Sequence, residues 1–335
     1  MRIVKRWLLV AGAMACCAPV CASQGFRVDP STLDGSGGGY WAKWDSVQDR
    51  LILYRDTSDS AQPSVRIFAK DGASTAVYSL RDLSESKYVD IWGVAATPDG
   101  GILLATIVGY TPRGLKPARL KSFLLTYDAA GNLKKVWEME PYHHHLLAVD
   151  RDGNVFALGD SDLAEPYFLI IKYSPTGKIL REFLPSSLFP EGDKVIDNAS
   201  LNGDCQMFIK GDVLFVWLPR PQEVFRFSLS GKLLSRTSLA KALSSLVVES
   251  ATGRATVKAL TAETDGDMVA QVQLWPKNAS EPVRSELVRL TATGSGATVL
   301  PIPFYPIRLL GTTAQGKLVL LQPEAQGKAG WIITW

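Results

Sequence analysis

Residues 147–159 read LAVDRDGNVFALG, and residues 170–180 read IIKYSPTGKIL. Each phrase is a short apolar run that enters a tight turn containing glycine and leaves it again. Both recur. The first returns as VAATPDGGILLATI (94–107), MFIKGDVLFVW (207–217), LTAETDGDMVAQV (260–272) and LLGTTAQGKLVLL (309–321), with WAKWDSVQDRLILY (41–54) as a looser first member. The second sets an aromatic or aliphatic residue four positions before a glycine: Phe68 and Gly72, Tyr127 and Gly131, Tyr173 and Gly177, Phe227 and Gly231, Leu290 and Gly294. The two patterns alternate along the chain.

One alternation spans about 50 to 60 residues and holds four runs rich in Val, Ile, Leu, Phe, Tyr or Trp, separated by turn residues. That is a four-stranded antiparallel meander, and one meander cannot bury both of its faces alone. Stacked radially, each sheet covers its neighbour, and the register of the glycines gives six of them, an all-β six-bladed β-propeller. The chain ends on GWIITW, the third strand of a sixth sheet, and GFRVDP near the start is the candidate fourth strand that would close the ring and cover a sheet edge. A five-bladed ring with an irregular first blade is the alternative.

The repeated phrases, LAVDRDGNVFALGD followed by IIKYSPTGKILREF above all, resemble the NHL-repeat type of six-bladed propeller. There an inner strand runs through a DGN turn and a later strand ends in an aromatic-x-x-x-Gly turn. The Pro-x-Gly-Ile opening usual in those repeats is replaced here by HHHLLAV, and their Asn-x-Arg-Ile element has no counterpart. The resemblance implies a fold shared by enzymes and binding scaffolds, so it leaves the activity open.

The first 22 residues place Arg2, Lys5 and Arg6 ahead of an apolar run and close on Val20, Cys21 and Ala22, the pattern of an export signal cut after Ala22. The domain division is thus a signal peptide (1–22) and one propeller (23–335), destined for the periplasm or secretion. Lipid attachment at Cys16 is an alternative, weakened by Ala13 where such a site wants leucine. Cys16, Cys17 and Cys21 lie in the leader, and Cys205 alone remains, a core thiol that cannot form an internal disulfide. Removing three leader cations leaves 33 basic residues against 33 acidic ones. A balanced chain lacks the basic footprint of a nucleic-acid binder, and no later run is long and apolar enough to span a bilayer.

The turns differ by position. Those between first and second and between third and fourth strands are short, whereas the other connections are long: 55–64, 109–121, 159–166, 184–204 and 238–254. In a radial meander all the long ones emerge on one face, and loops on a rigid scaffold are where binding concentrates. The ligand-binding candidates at the channel mouth on that face are Asp90, Trp92, His143, His145, Asp197, Asn202, Asp204, Glu249, Arg254 and Arg308, with Asn198 beside them. The expected partner is a protein, peptide or glycan, bound by a monomer without catalysis.

Rival readings attach to particular residues. His143, His144 and His145 resemble a metal site, but consecutive strand residues point to opposite faces, so two at most converge where a catalytic zinc wants three ligands. Asp150, Asp152 and Asn154 alternate as calcium ligands do, yet they fall where the other sheets have a hairpin turn. No cofactor is therefore expected, with calcium or zinc as the alternative. The resemblance adds that lactone hydrolases of related architecture hold calcium by Glu, Asn and Asp from separate blades, and a metal-assisted hydrolase or lyase is the rival function. Arg113, Lys116, Arg119 and Lys121 with Tyr110 form a local basic patch, read as a solvated loop, with the binding of an anionic ligand or partner as the alternative. ALSSLVVESA (242–251) reads as a short helix capping the long-loop face.

Overall fold

The computed structural model describes residues 25–28, 41–55, 64–79, 88–109, 120–164, 166–190, 192, 196, 205–249, 252–263, 266–277, 282, 284–301, 308–323 and 330–334. The expected leader lies outside them.

The first strand, β1 (Gly25–Val28), stands apart from its successors. It is followed by four consecutive meanders: β2 (Trp41–Asp45), β3 (Arg50–Arg55), β4 (Ser64–Ala69) and β5 (Ser74–Ser79); β6 (Tyr88–Ala96), β7 (Ile102–Gly109), β8 (Leu120–Tyr127) and β9 (Leu133–Glu138); β10 (Tyr142–Val149), β11 (Val155–Ser161), β12 (Phe168–Tyr173) and β13 (Ile179–Pro185); β14 (Gln206–Lys210), β15 (Val213–Leu218), β16 (Glu223–Ser228) and β17 (Leu233–Ser238). Helix α1 (Ala240–Glu249) precedes a fifth, β18 (Arg254–Ala262), β19 (Met268–Trp275), β20 (Arg284–Leu290) and β21 (Ala297–Leu300). The last sheet is composite. Its strands β22 (Arg308–Thr312), β23 (Leu318–Pro323) and β24 (Gly330–Thr334) are joined at the edge by β1, with Phe26 opposite Ile332 and Val28 opposite Gly330. Every sheet is four-stranded and antiparallel, and the fold is an all-β propeller of such blades.

The apolar pattern explains the stacking. Second strands such as Val213–Leu218 are apolar at almost every position because both sheet faces are covered. The cores lie between sheets. One cluster joins Ile52 and Tyr78 of the first sheet to Leu104 and Tyr127 of the second, and another joins Leu103 and Leu124 to Leu147 and Tyr173. The remaining clusters continue in order, and the last brings Val28 and Ile332 against Leu51 and Phe68. Each fully buried Leu, Ile or Phe contributes roughly 1.5–3 kcal/mol, so this set of interlayers outweighs any single polar contact. Cys205 is a buried core thiol in no disulfide, as its position in the sequence suggests.

The aromatic-x-x-x-Gly element has a local and a long-range cause. At each of these turns the glycine N–H returns to the residue three before it, as Gly177 does to Ser174, and the glycine adopts positive φ, +85° at Gly177. The strand pair shifts register at the preceding aromatic, the mark of a bulged turn. The glycine also faces the outermost strand of the preceding sheet. A Cβ on Gly177 would lie 2.8 Å from the Trp137 ring of β9, and one on Gly231 would lie 3.1 Å from Phe183 of β13. Gly72 of the first sheet meets Phe26 of β1 in the same way, so β1 serves as the outer strand of the sheet that precedes the first. Helix α1 forms where a capping helix is expected, burying Ala242, Leu243 and Leu246 against the fourth and fifth sheets.

Candidate functional site

The innermost strands β2, β6, β10, β14, β18 and β22 start at the end that carries the long connections. Four of them bulge: the register slips at Trp92 in β6, His145 in β10, Lys258 in β18 and Leu310 in β22. A bulge turns one extra side chain out of the alternation. Trp92 and His145 use it to stack on each other, ring centroids 4.3 Å apart and planes within 13°.

His145 is also drawn to a carboxylate. Its Nε2 lies 3.4 Å from Oδ1 of Asp160 on β11, too long for a formed hydrogen bond, and both atoms are otherwise buried without a partner. Burial works to raise the Asp160 carboxyl, but His145 beside it, helped by the field of His143, outweighs this and holds it below the usual carboxylate range. His143 points its Nε2 toward Asp162 at 3.2 Å. His144 faces the other way, fully inside the sheet stack, with Nε2 2.9 Å from the Tyr173 hydroxyl. Burial pushes its pKa down to about 3, with His145 and His143 adding to the effect, so it is a neutral core residue at pH 7. The three histidines thus divide, two turned toward Asp160 and Asp162 and one inside.

The other expected residues separate. Arg308 lies over the Trp41 ring at 5.9 Å, joining the last sheet to the first, and Arg254 lies over Trp275 of its own sheet at 4.3 Å. Asp90 and Glu249 belong to β6 and α1, but their side chains lie outside the described residues, as do Asp197, Asn198, Asn202 and Asp204 entirely. Of the basic patch only Lys121 is described, paired with Glu138 at 2.6 Å. Asp150 follows the turn reading: its Oδ1 accepts the amides of Asp152 (3.0 Å) and Asn154 (2.8 Å), and its Oδ2 accepts Asn154 Nδ2.

Sequence reasoning missed the polar spokes between inner strands. Lys43 of β2 donates to the carbonyls of Val94 and Leu147, at 2.9 and 2.7 Å, so one ammonium ties three sheets. Burial lowers its pKa to about 8, against the pull of Asp45. Ser46 donates to Ile209 on the fourth sheet, and Lys210 donates to Thr313 of the last. The available signal was a lysine in each of two inner strands, Lys43 within β2 and Lys210 at the end of β14.

Neither a family model nor a curated protein matches the chain. Among solved structures it is similar to a member of the DUF4221 family from Bacteroides vulgatus, at 8% identity over 93% of this chain and 95% of that one, TM-score 0.53. A protein described as exported from Bacteroides fragilis gives 10% identity over 93% and 94%, TM-score 0.52. A virginiamycin B lyase from Staphylococcus aureus gives 12% identity over 93% and 99%, TM-score 0.46. Likeness at such identities is one of fold, and propellers carry unrelated functions. No described helix is long and apolar enough to cross a membrane.

Proposed function

We propose that the chain is an exported, NHL-like, six-bladed propeller, closed by its N-terminal strand, that binds a protein, peptide or glycan through its long-loop face without catalysing a reaction. The carrying observation is the set of aromatic rings beside cationic or imidazole groups in the first and second strands of the sheets: Trp41 under Arg308, Trp92 on His145, Trp275 under Arg254. Flat rings stack on sugar and peptide faces while guanidinium groups take their oxygens. The unbroken succession of apolar layers between sheets supports the six-bladed count. The test is a panel of glycans and peptides presented to the purified protein and to a Trp41→Ala/Trp92→Ala/Trp275→Ala variant. Binding that survives the triple change at full strength sinks this reading.

A second reading rests on His145 and Asp160, whose buried, unpartnered atoms 3.4 Å apart form an oriented imidazole–carboxylate pair of the kind a proton-transfer enzyme or metal-assisted hydrolase uses. Elemental analysis after dialysis against metal-free buffer separates the two. About one equivalent of calcium or zinc, lost in His145→Ala and Asp160→Ala, favours the enzyme.

A further inference from the structure

At the opposite end, where the short turns gather, the structure contains a cavity of about 650 Å3. That is the size of pockets that take small organic ligands. Its walls come from the turns after β2, β10, β14, β18 and β22 and from one face of the fourth sheet.

That face presents a cross-strand row. Phe215 is opposite Arg226, and Arg226 is opposite Ser235, so the three side chains share one side of the sheet. The Arg226 guanidinium sits 5.4 Å over the Phe215 ring and donates from one terminal nitrogen to the Gly266 carbonyl at 2.6 Å. Its Nε and the neighbouring Ser235 Oγ are both buried and have no partner. A buried polar atom left unsatisfied costs about 1–3 kcal/mol, and two neighbouring orphans, one an obligate N–H donor, mark a place where an acceptor belongs.

Two of the carboxylates that line the cavity are already engaged. Glu263 is held by Arg289 through two contacts, at 2.8 and 2.9 Å, and Asp150 is engaged by its own turn. Asp152 and Asp212 are exposed, whereas Lys210 and Arg226 are partly buried. Asp267 contributes a weaker attraction to Arg226, whose pKa burial nevertheless lowers. Leu229 and Leu234 complete the same part of the wall with apolar surface.

We infer that this cavity binds a small organic carboxylate with an apolar substituent, the carboxylate accepting from Arg226 Nε and Ser235 Oγ and the substituent lying on Leu229 and Leu234. The site is separate from the long-loop face, and neither reading depends on the other. Isothermal titration of the exported, purified protein with 4-phenylbutyrate and with 4-phenylbutanol tests it. The acid should bind at least ~10-fold more tightly than the alcohol, the worth of a charge-assisted hydrogen bond. Ser235→Ala, and Arg226→Lys, which keeps the cation but removes the Nε donor, should each weaken the acid by about 3- to 30-fold with the urea midpoint checked alongside. The Trp41→Ala/Trp92→Ala/Trp275→Ala variant should titrate like the unaltered protein. Equal binding of acid and alcohol, no binding of either at millimolar concentration, or undiminished acid binding by Ser235→Ala overturns the assignment. Should Arg226→Lys fail to fold, Ser235→Ala decides alone.

Discussion

The two ends of the sheet stack use polar side chains in different ways. At the short-turn end they fasten the backbone to itself. Asp99, Asp128, Asp150, Ser174, Ser228, Thr291 and Thr313 each accept amide hydrogens within their own turn. At the long-loop end, Trp41, Trp92, Trp275, Arg254, Arg308 and His145 engage one another through rings and charges instead. The comparison teaches that the turns of one end are held by backbone geometry, while the side chains of the other are held by contacts among themselves. Substitutions of the turn residues at the first end should cost stability, and on the proposed function substitutions of the rings and cations at the second should cost binding.

The hardest blow to that contrast is a side chain at Gly294, where φ is +70° and a Cβ would run into the Ser238 carbonyl of the preceding sheet. Gly294→Ala should lose roughly 3–5 kcal/mol in urea unfolding; a loss below about 1 kcal/mol would show that the turn is not pinned. His144 probes the layer between the two ends. It protonates near pH 6.5 unfolded but only near 3 when folded, so the unfolded chain holds the extra proton and stability falls as pH drops through that window. The slope is at most about 1.4 kcal/mol per pH unit. In His144→Phe the acid limb of a stability profile should flatten, and an unchanged limb would assign acid sensitivity elsewhere.

Smaller effects refine the contrast. Asp150→Ala removes the acceptor of two amides and should cost about 1–2 kcal/mol by the same urea titration. Arg254→Ala at the other end loses one exposed cation–ring contact and should cost no more than about 0.5–1 kcal/mol. If Arg254→Ala proves the more damaging of the two, the division of labour between the ends is wrong.

Much of the fold was legible because positive-φ glycines and buried aromatics must recur wherever the same bulged turn recurs. Tyr127 with Gly131 and Tyr173 with Gly177 announce themselves at fixed spacing. The parting of His143 from His144 was legible for the same reason, since strand alternation is a local rule. The stacking of Trp92 on His145 was not, because it depends on bulges in two strands meeting across a sheet boundary. Arg226 and Ser235 were equally silent: they lie nine positions apart in sequence and become neighbours only through the register of β16 on β17. Lys43 and Lys210 looked like ordinary inner-strand lysines until the sheets were placed around them.

The pairing of β1 with β24 has a mechanical consequence. The strands run antiparallel, with Gly25 beside Ile333 and Val28 beside Gly330, so the two chain ends leave the ladder at the same place. A pull that separates those ends loads one rung at a time, beginning at Gly25 and Ile333, and peels the strand away as a zipper opens. The same rungs loaded together, by a force along the strands, would resist as a unit. The protein should therefore yield readily to traction on its two termini while resisting a force directed along those two strands.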